Sequence, residues 1–184
     1  QVGRDATGSL TIQNGGAVSN TFGYLGYNSL AIGTAVVDGT ALDGTPSTWA
    51  NANNLVVGRQ GTGILTIQNG GVVSNDHASL GRYAGSSGTV TVDGAGSVWD
   101  SSGDVAVGGT FESANGWGSL NVNNGGQVLV GGTLRVWNTG TVTLDSNGRI
   151  DANQVQFMPG SVLTANGPAS VAGNVTNEGM VNGP

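Results

Sequence analysis

Short runs of alternating apolar and polar residues, each closed by a Gly-containing turn, recur along the whole chain. Leu65-Thr66-Ile67 shows the pattern plainly: period-two alternation places Leu65 and Ile67 on one face of a strand and Thr66 on the other. The Asn-Gly-Gly that follows such runs predicts a tight turn. The last apolar residue before each turn is Ile12, Val37, Ile67, Val92, Val122 and Leu144, so shorter and longer steps alternate along the sequence. Each step suits one coil built from three short strands. One coil is predicted as Ile64–Ile67, Val72–Ser74 and Ser79–Gly81, and the next as Thr89–Val92, Ser97–Trp99 and Asp104–Val107. Beyond Val130 the strands are sparser: Thr133–Val136, Thr141–Leu144, Gln154–Phe157, Ser161–Leu163, Asn174–Thr176 and Met180-Val181.

The runs belong to an internal repeat. Val57–Asn75 is a near-copy of Val2–Asn20, and a diverged third copy occupies Val107–Val130. Gly33–Gly39 and Gly88–Gly94 match at the same displacement and lie between those copies, so the structural unit is smaller than the repeat itself. Such self-similarity signals a stacked array, in which equivalent residues form columns. Strands this short bury little alone, but stacked at roughly 4.8 Å they form a continuous aliphatic column. The expected fold is all-β: a right-handed parallel β-helix, or β-solenoid, with three short strands per coil and about seven coils. An antiparallel sandwich or barrel would share the strand spacing, but it does not explain near-verbatim blocks. Recurrent Gly and the lack of helical spacing exclude a helical fold.

Residues 1–184 are expected to form one unit. Regular coils, of roughly 25 to 30 residues each, are expected over 1–130 and shorter ones over 131–184. Val2-Gly3 matches Val57-Gly58 and Val107-Gly108, which close a coil, and the chain stops just after Met180-Val181. Both ends therefore look cut from a longer array, since an unprotected end exposes strand edges.

Composition narrows the function. Charged residues are only 9%, so Asn, Ser and Thr supply the polar face, and the 35 Gly fall between ordered apolar runs. A net charge of −6 argues against nucleic acid or an anionic membrane as partner. The absence of Cys removes disulfides and thiol chemistry. No apolar run reaches the roughly 18 residues of a membrane span.

The pattern V-G-x-x-G-x-G-x-L-T-I-x-N-G-G-x-V-S at Val57–Ser74, with the terse repeats of Gly173–Val181, resembles adhesin-type autotransporter passenger domains of Gram-negative bacteria. The resemblance implies a secreted or surface-exposed rod displayed on the outer membrane by a separate C-terminal barrel. It implies a role in attachment to a host or bacterial surface protein or glycan, with side-by-side self-association of rods as a further expectation. A structural stalk carrying a binding head elsewhere is the alternative, and a polysaccharide-active enzyme a more distant one.

Several residues are candidates for sites. Asn14, Asn69, Asn124, Asp38 and Asp93 are expected to serve turn chemistry rather than hold cations. Glycoside hydrolysis needs two carboxylates across a groove; the one acidic cluster the sequence offers is Asp100 and Asp104 with Asp76-His77 a coil earlier. No enzyme activity, cofactor or metal is expected from so few acidic groups. Trp49 and Trp99, at equivalent positions, are either sugar-stacking platforms or cover for the coil edge. The insertion Gly108–Gly118 breaks the repeat and carries Phe111, Glu112 and Trp117, so it is the expected binding flank. The outward column Thr11, Val36, Thr66, Thr91, Asn121 and Thr143 offers one Thr per strand, which falls short of the paired grid an ice-binding face would need.

Overall fold

The computed structural model describes residues 1–183, and the strands follow the alternation above. The first rung comprises β1 (Thr7–Gln13), β2 (Ala17–Asn20) and β3 (Gly23–Leu25). The second is β4 (Ile32–Asp38), β5 (Thr48–Asn51) and β6 (Leu55–Val57). The third is β7 (Thr62–Gln68), β8 (Val72–Asn75) and β9 (Ala78–Leu80). The fourth is β10 (Ser87–Asp93), β11 (Val98–Ser101) and β12 (Val105–Val107). Later rungs have two strands: β13 (Trp117–Asn123) with β14 (Gln127–Val136), β15 (Gly140–Asp145) with β16 (Arg149–Phe157), and β17 (Val162–Asn166) with β18 (Ser170–Asn177). A final strand, β19 (Met180–Asn182), opens an eighth. Among the described residues there is no helix.

All ladder pairings between these strands are parallel, and they form two sheets stacked in chain order. One runs β1-β4-β7-β10-β13-β15-β17-β19. The other contains a column of second strands and a column of third strands, joined through β14. The predicted register holds residue for residue: Ile12, Val37, Ile67, Val92, Val122 and Leu144 are consecutive partners. These residues and their neighbours Ala35, Leu65, Val90, Leu120 and Val142 are buried, with Leu10 of the first rung half-buried, and they form one wall of a single continuous core.

Two expectations need correction. Three strands per coil holds for the first four rungs only. The corner between second and third strands is Ser102–Asp104 in the fourth rung but shrinks to Gly131-Gly132 in the fifth, where the strands fuse across an irregularity. With so little corner chain, pairing continues through the bend instead of breaking. The outer face of the first sheet also presents two columns. Ser9, Thr34, Ile64, Thr89, Ser119 and Thr141 stand beside the column that starts at Thr11. Both positions are Thr in β10 (Thr89, Thr91) and β15 (Thr141, Thr143), whereas Ile64 and Val36 break the pattern elsewhere. The face is a mixed hydroxyl and aliphatic surface.

The turn residues behave as their chemistry dictates. Asn14, Asn69 and Asn124 adopt left-handed backbone, with φ of 55°, 53° and 52°. Asn69 and Asn124 also donate Nδ2–H to Asp38 and Asp93 Oδ1 at 2.7 Å, tying each turn to the rung before it.

Candidate functional site

The column of third strands forms a distinct outer face. Its outward residues align as Tyr24, Val56, Ser79, Ala106, Arg135 and Gln156. Large side chains stand at both ends and small ones lie between, so the face dips over Ser79. One margin is the corner that returns to the first sheet, where Gly26-Tyr27, Gly58-Arg59 and Gly81-Arg82 recur once per rung. The glycines take φ of 64°, 75° and 68°. At Gly81 a Cβ would run into the Trp117 carbonyl at the start of β13, so only glycine lets the chain pass that close. The residue after each glycine is thereby thrown outward at the margin of the face.

The opposite margin is built by Asn54, His77 and Asp104, each the residue before its third strand. Side chains of one rung accept backbone donors of the next: Asp104 N–H reaches His77 Nδ1 at 2.8 Å, and Thr133 N–H reaches Asp104 Oδ1 at 2.7 Å. His77 also lies 3.6 Å from Asp76 Oδ2 and 3.7 Å from Asp104 Oδ2. An acceptor Nδ1 is unprotonated, which leaves Nε2 to carry the proton of a neutral ring.

The repeat-breaking insertion closes one end of the dip. Thr110 N–H bonds to the Ser113 carbonyl, and Gly109 bridges Ala114, which makes a compact turn. The next rung holds it down: Trp137 donates Nε1–H to the Thr110 carbonyl at 2.7 Å, and Arg135 donates to the Phe111 carbonyl. The Arg135 guanidinium also sits 4.1 Å from the Phe111 ring centroid. The result is a cavity of about 410 Å³ bounded by His77, Arg82, Asp104, Phe111 and Glu112, with Ser79 at its base. At the other end of the face, Phe22 and Tyr24 stack at 6.3 Å and Tyr24 meets Tyr27 edge-on at 5.2 Å.

The site residues expected from sequence divide three ways. Phe111 and Glu112 line the cavity, with Phe111 37% exposed. Trp117 does not join them. It begins β13, pairs with Ser87 on the outer face of the first sheet and remains 65% exposed. Trp49 and Trp99 are only 2% and 0% exposed, and both belong to the core. Neither can stack on a sugar, because the strand phase that buries Ser47 and Ser97 turns the tryptophans inward as well.

Sequence reasoning missed Tyr27, Arg59 and Arg82. The signal available was the recurring Gly-Arg or Gly-Tyr pair, one per rung. Of the acidic cluster, Asp76 and Asp104 both approach His77, and Asp100 shares a separate depression with Asp76, Asn51 and Asn75. Among the described residues no three His, Asp or Glu side chains converge as a metal site requires. Asp43, far from this face, has its carboxyl held below the usual carboxylate value by hydrogen bonds from Thr45. Comparison with protein-family models, curated proteins and solved structures finds no match to this chain.

Proposed function

We propose that this chain is a right-handed parallel β-helix that serves as an attachment segment of a bacterial surface rod, and that the cavity under Phe111 and Glu112 is where it meets its partner. Right-handed winding is the usual preference for parallel strands joined by crossovers. The observation that carries the attachment reading is the insertion itself. Two loops exceed what stacking needs, Gly39–Ser47 and Gly108–Gly116, and the second forms a flap anchored by side chains of the following rung, Trp137 and Arg135. A concave, partly apolar pocket with several converging polar groups is the usual form of a ligand site. The sequence resemblance to adhesin-type passengers supports the same reading, including display at the cell surface.

A structural stalk is the second reading, favoured by the first sheet's outer face. Its two central columns carry no charged side chain and repeat with little change from rung to rung. Beads coated with the purified chain separate the two. An attachment segment retains beads on bacterial or host cell layers, and a Phe111→Ala, Glu112→Ala pair lowers retention without unfolding the chain. Beads that never exceed an albumin-coated control would leave the stalk.

A further inference from the structure

The five Arg and Lys residues of this acidic chain are all Arg, and they are not evenly paired. Arg4 and Arg149 each sit against a neighbouring aspartate. Arg59 and Arg82 make no ion pair among the described residues, although the chain has 11 carboxylates. They stand on consecutive rungs at the margin of the third-strand face. Arg59 lies between two tyrosines, 4.3 Å from the Tyr27 ring centroid and 5.3 Å from that of Tyr83. Arg82 lies 5.6 Å from Tyr83. Aromatic faces on both sides hold the Arg59 guanidinium in place without neutralising it. Arg82 borders the cavity, and its Nε is buried without a hydrogen-bond partner. That N–H is closed to solvent, whereas the two Nη groups are not among the buried atoms and are the donors a ligand oxygen in the cavity would meet.

Building on the attachment reading, we propose that this partner is a carboxylate-bearing glycan, its acid group seated on the Arg82 fork. The guanidinium offers parallel N–H donors that match a planar carboxylate. The rest of the cavity suits a sugar: Ser79, Asn54 and His77 Nε2 serve hydroxyls, and the Phe111 ring covers the apolar face of a pyranose. Two nearby carboxylates are already engaged. Asp104 Oδ1 accepts from Thr133 N–H, and Asp76 Oδ1 from Ser102 Oγ–H at 3.2 Å. Glu112 stays uncommitted at the mouth, where it accepts a hydroxyl and disfavours a multiply charged phosphate or sulfate cluster. A single carboxyl per sugar ring is the anion that satisfies both Arg82 and Glu112. Arg59, one rung away along the same margin, meets the acid of a second residue.

Uronic and sialic acids share this chemistry, and titration calorimetry on the full chain distinguishes them. Trigalacturonate, sialyl-lactose and neutral maltotriose are the probes. One of the two acids is expected to bind at least about tenfold more tightly than maltotriose, with affinity falling as salt rises. Arg82→Gln is expected to remove that preference while the circular-dichroism melt stays unchanged, and Arg82→Lys to restore only part of it. The salt dependence and the acid-versus-neutral comparison need no variant, so they decide the matter even if Arg82→Gln folds poorly. Maltotriose binding as tightly as both acids, or neither acid binding, overturns the proposal. Bead attachment is measured separately, so beads that hold while the acids fail would retire the ligand class and leave the attachment reading standing.

Discussion

Trp99 donates its indole N–H to Asn75 Oδ1 at 2.7 Å, one rung back, and both side chains are buried. The same bond, at the same length, joins Trp49 to Asn20 two rungs earlier. The inward position of the second strand alternates Val18, Trp49, Val73, Trp99, so that each indole stacks between smaller side chains. The sequence repeat is therefore a pair of unlike rungs. One rung supplies the bulk and the N–H, and its predecessor supplies room and the acceptor. Two tryptophans in successive rungs would compete for the same interior volume.

Trp99→Phe keeps most of the ring and leaves Asn75 Oδ1 unpaired inside the core. It is expected to cost about 1–3 kcal/mol, and Trp99→Ala about 3–5 kcal/mol. Urea unfolding followed by circular dichroism measures both. A Phe variant as stable as the parent would mean that the indole N–H contributes nothing.

Ile67 is fully buried, while Thr66 points outward beside Val36 and Thr91. Ile67→Asp places an unpaired charge in the aliphatic column and is expected to abolish folding of several rungs together. Thr66→Asp should stay within about 0.5 kcal/mol of the parent. Equal damage from the two substitutions would refute the assignment of faces.

At the Asn69 turn, backbone conformation and side-chain bonding can be separated. Asn69→Gly keeps the left-handed φ of 53° accessible and loses the bond to Asp38. Asn69→Ala loses the bond and also adds left-handed strain, so it is expected to melt lower than the Gly variant, by about 1–2 kcal/mol of stability. The thermal melts of the two variants, compared side by side, test the order.

The flap over the cavity hangs on Trp137. Trp137→Phe removes the donor to the Thr110 carbonyl, and chymotrypsin should then cut after Phe111 several-fold faster while the rest of the chain resists. Trp117→Ser, on the other sheet, should leave both digestion and melting unchanged, because its ring is largely exposed. Faster cleavage in both variants would place Trp117 in the flap's support.

The alternation of Leu65-Thr66-Ile67 and the alternating short and long steps between turns were enough to set the register of the first sheet. Within a strand the side-chain period is two, so one buried residue orients all the others, and repetition carries that orientation from rung to rung. The left-handed turns at Asn14, Asn69 and Asn124 were legible for the same local reason. The phase of a strand across a corner is not local. It depends on the turn's conformation, so only the folded chain decided that Trp49 and Trp99 point inward to Asn20 and Asn75. Only the folded chain fused the strands across Gly131-Gly132, because the loss of a corner shows as shorter spacing and not as a motif. The cavity was equally hidden. His77, Arg82, Asp104 and Phe111 come from different rungs and corners, and their meeting depends on parallel stacking bringing distant residues to neighbouring positions on one face.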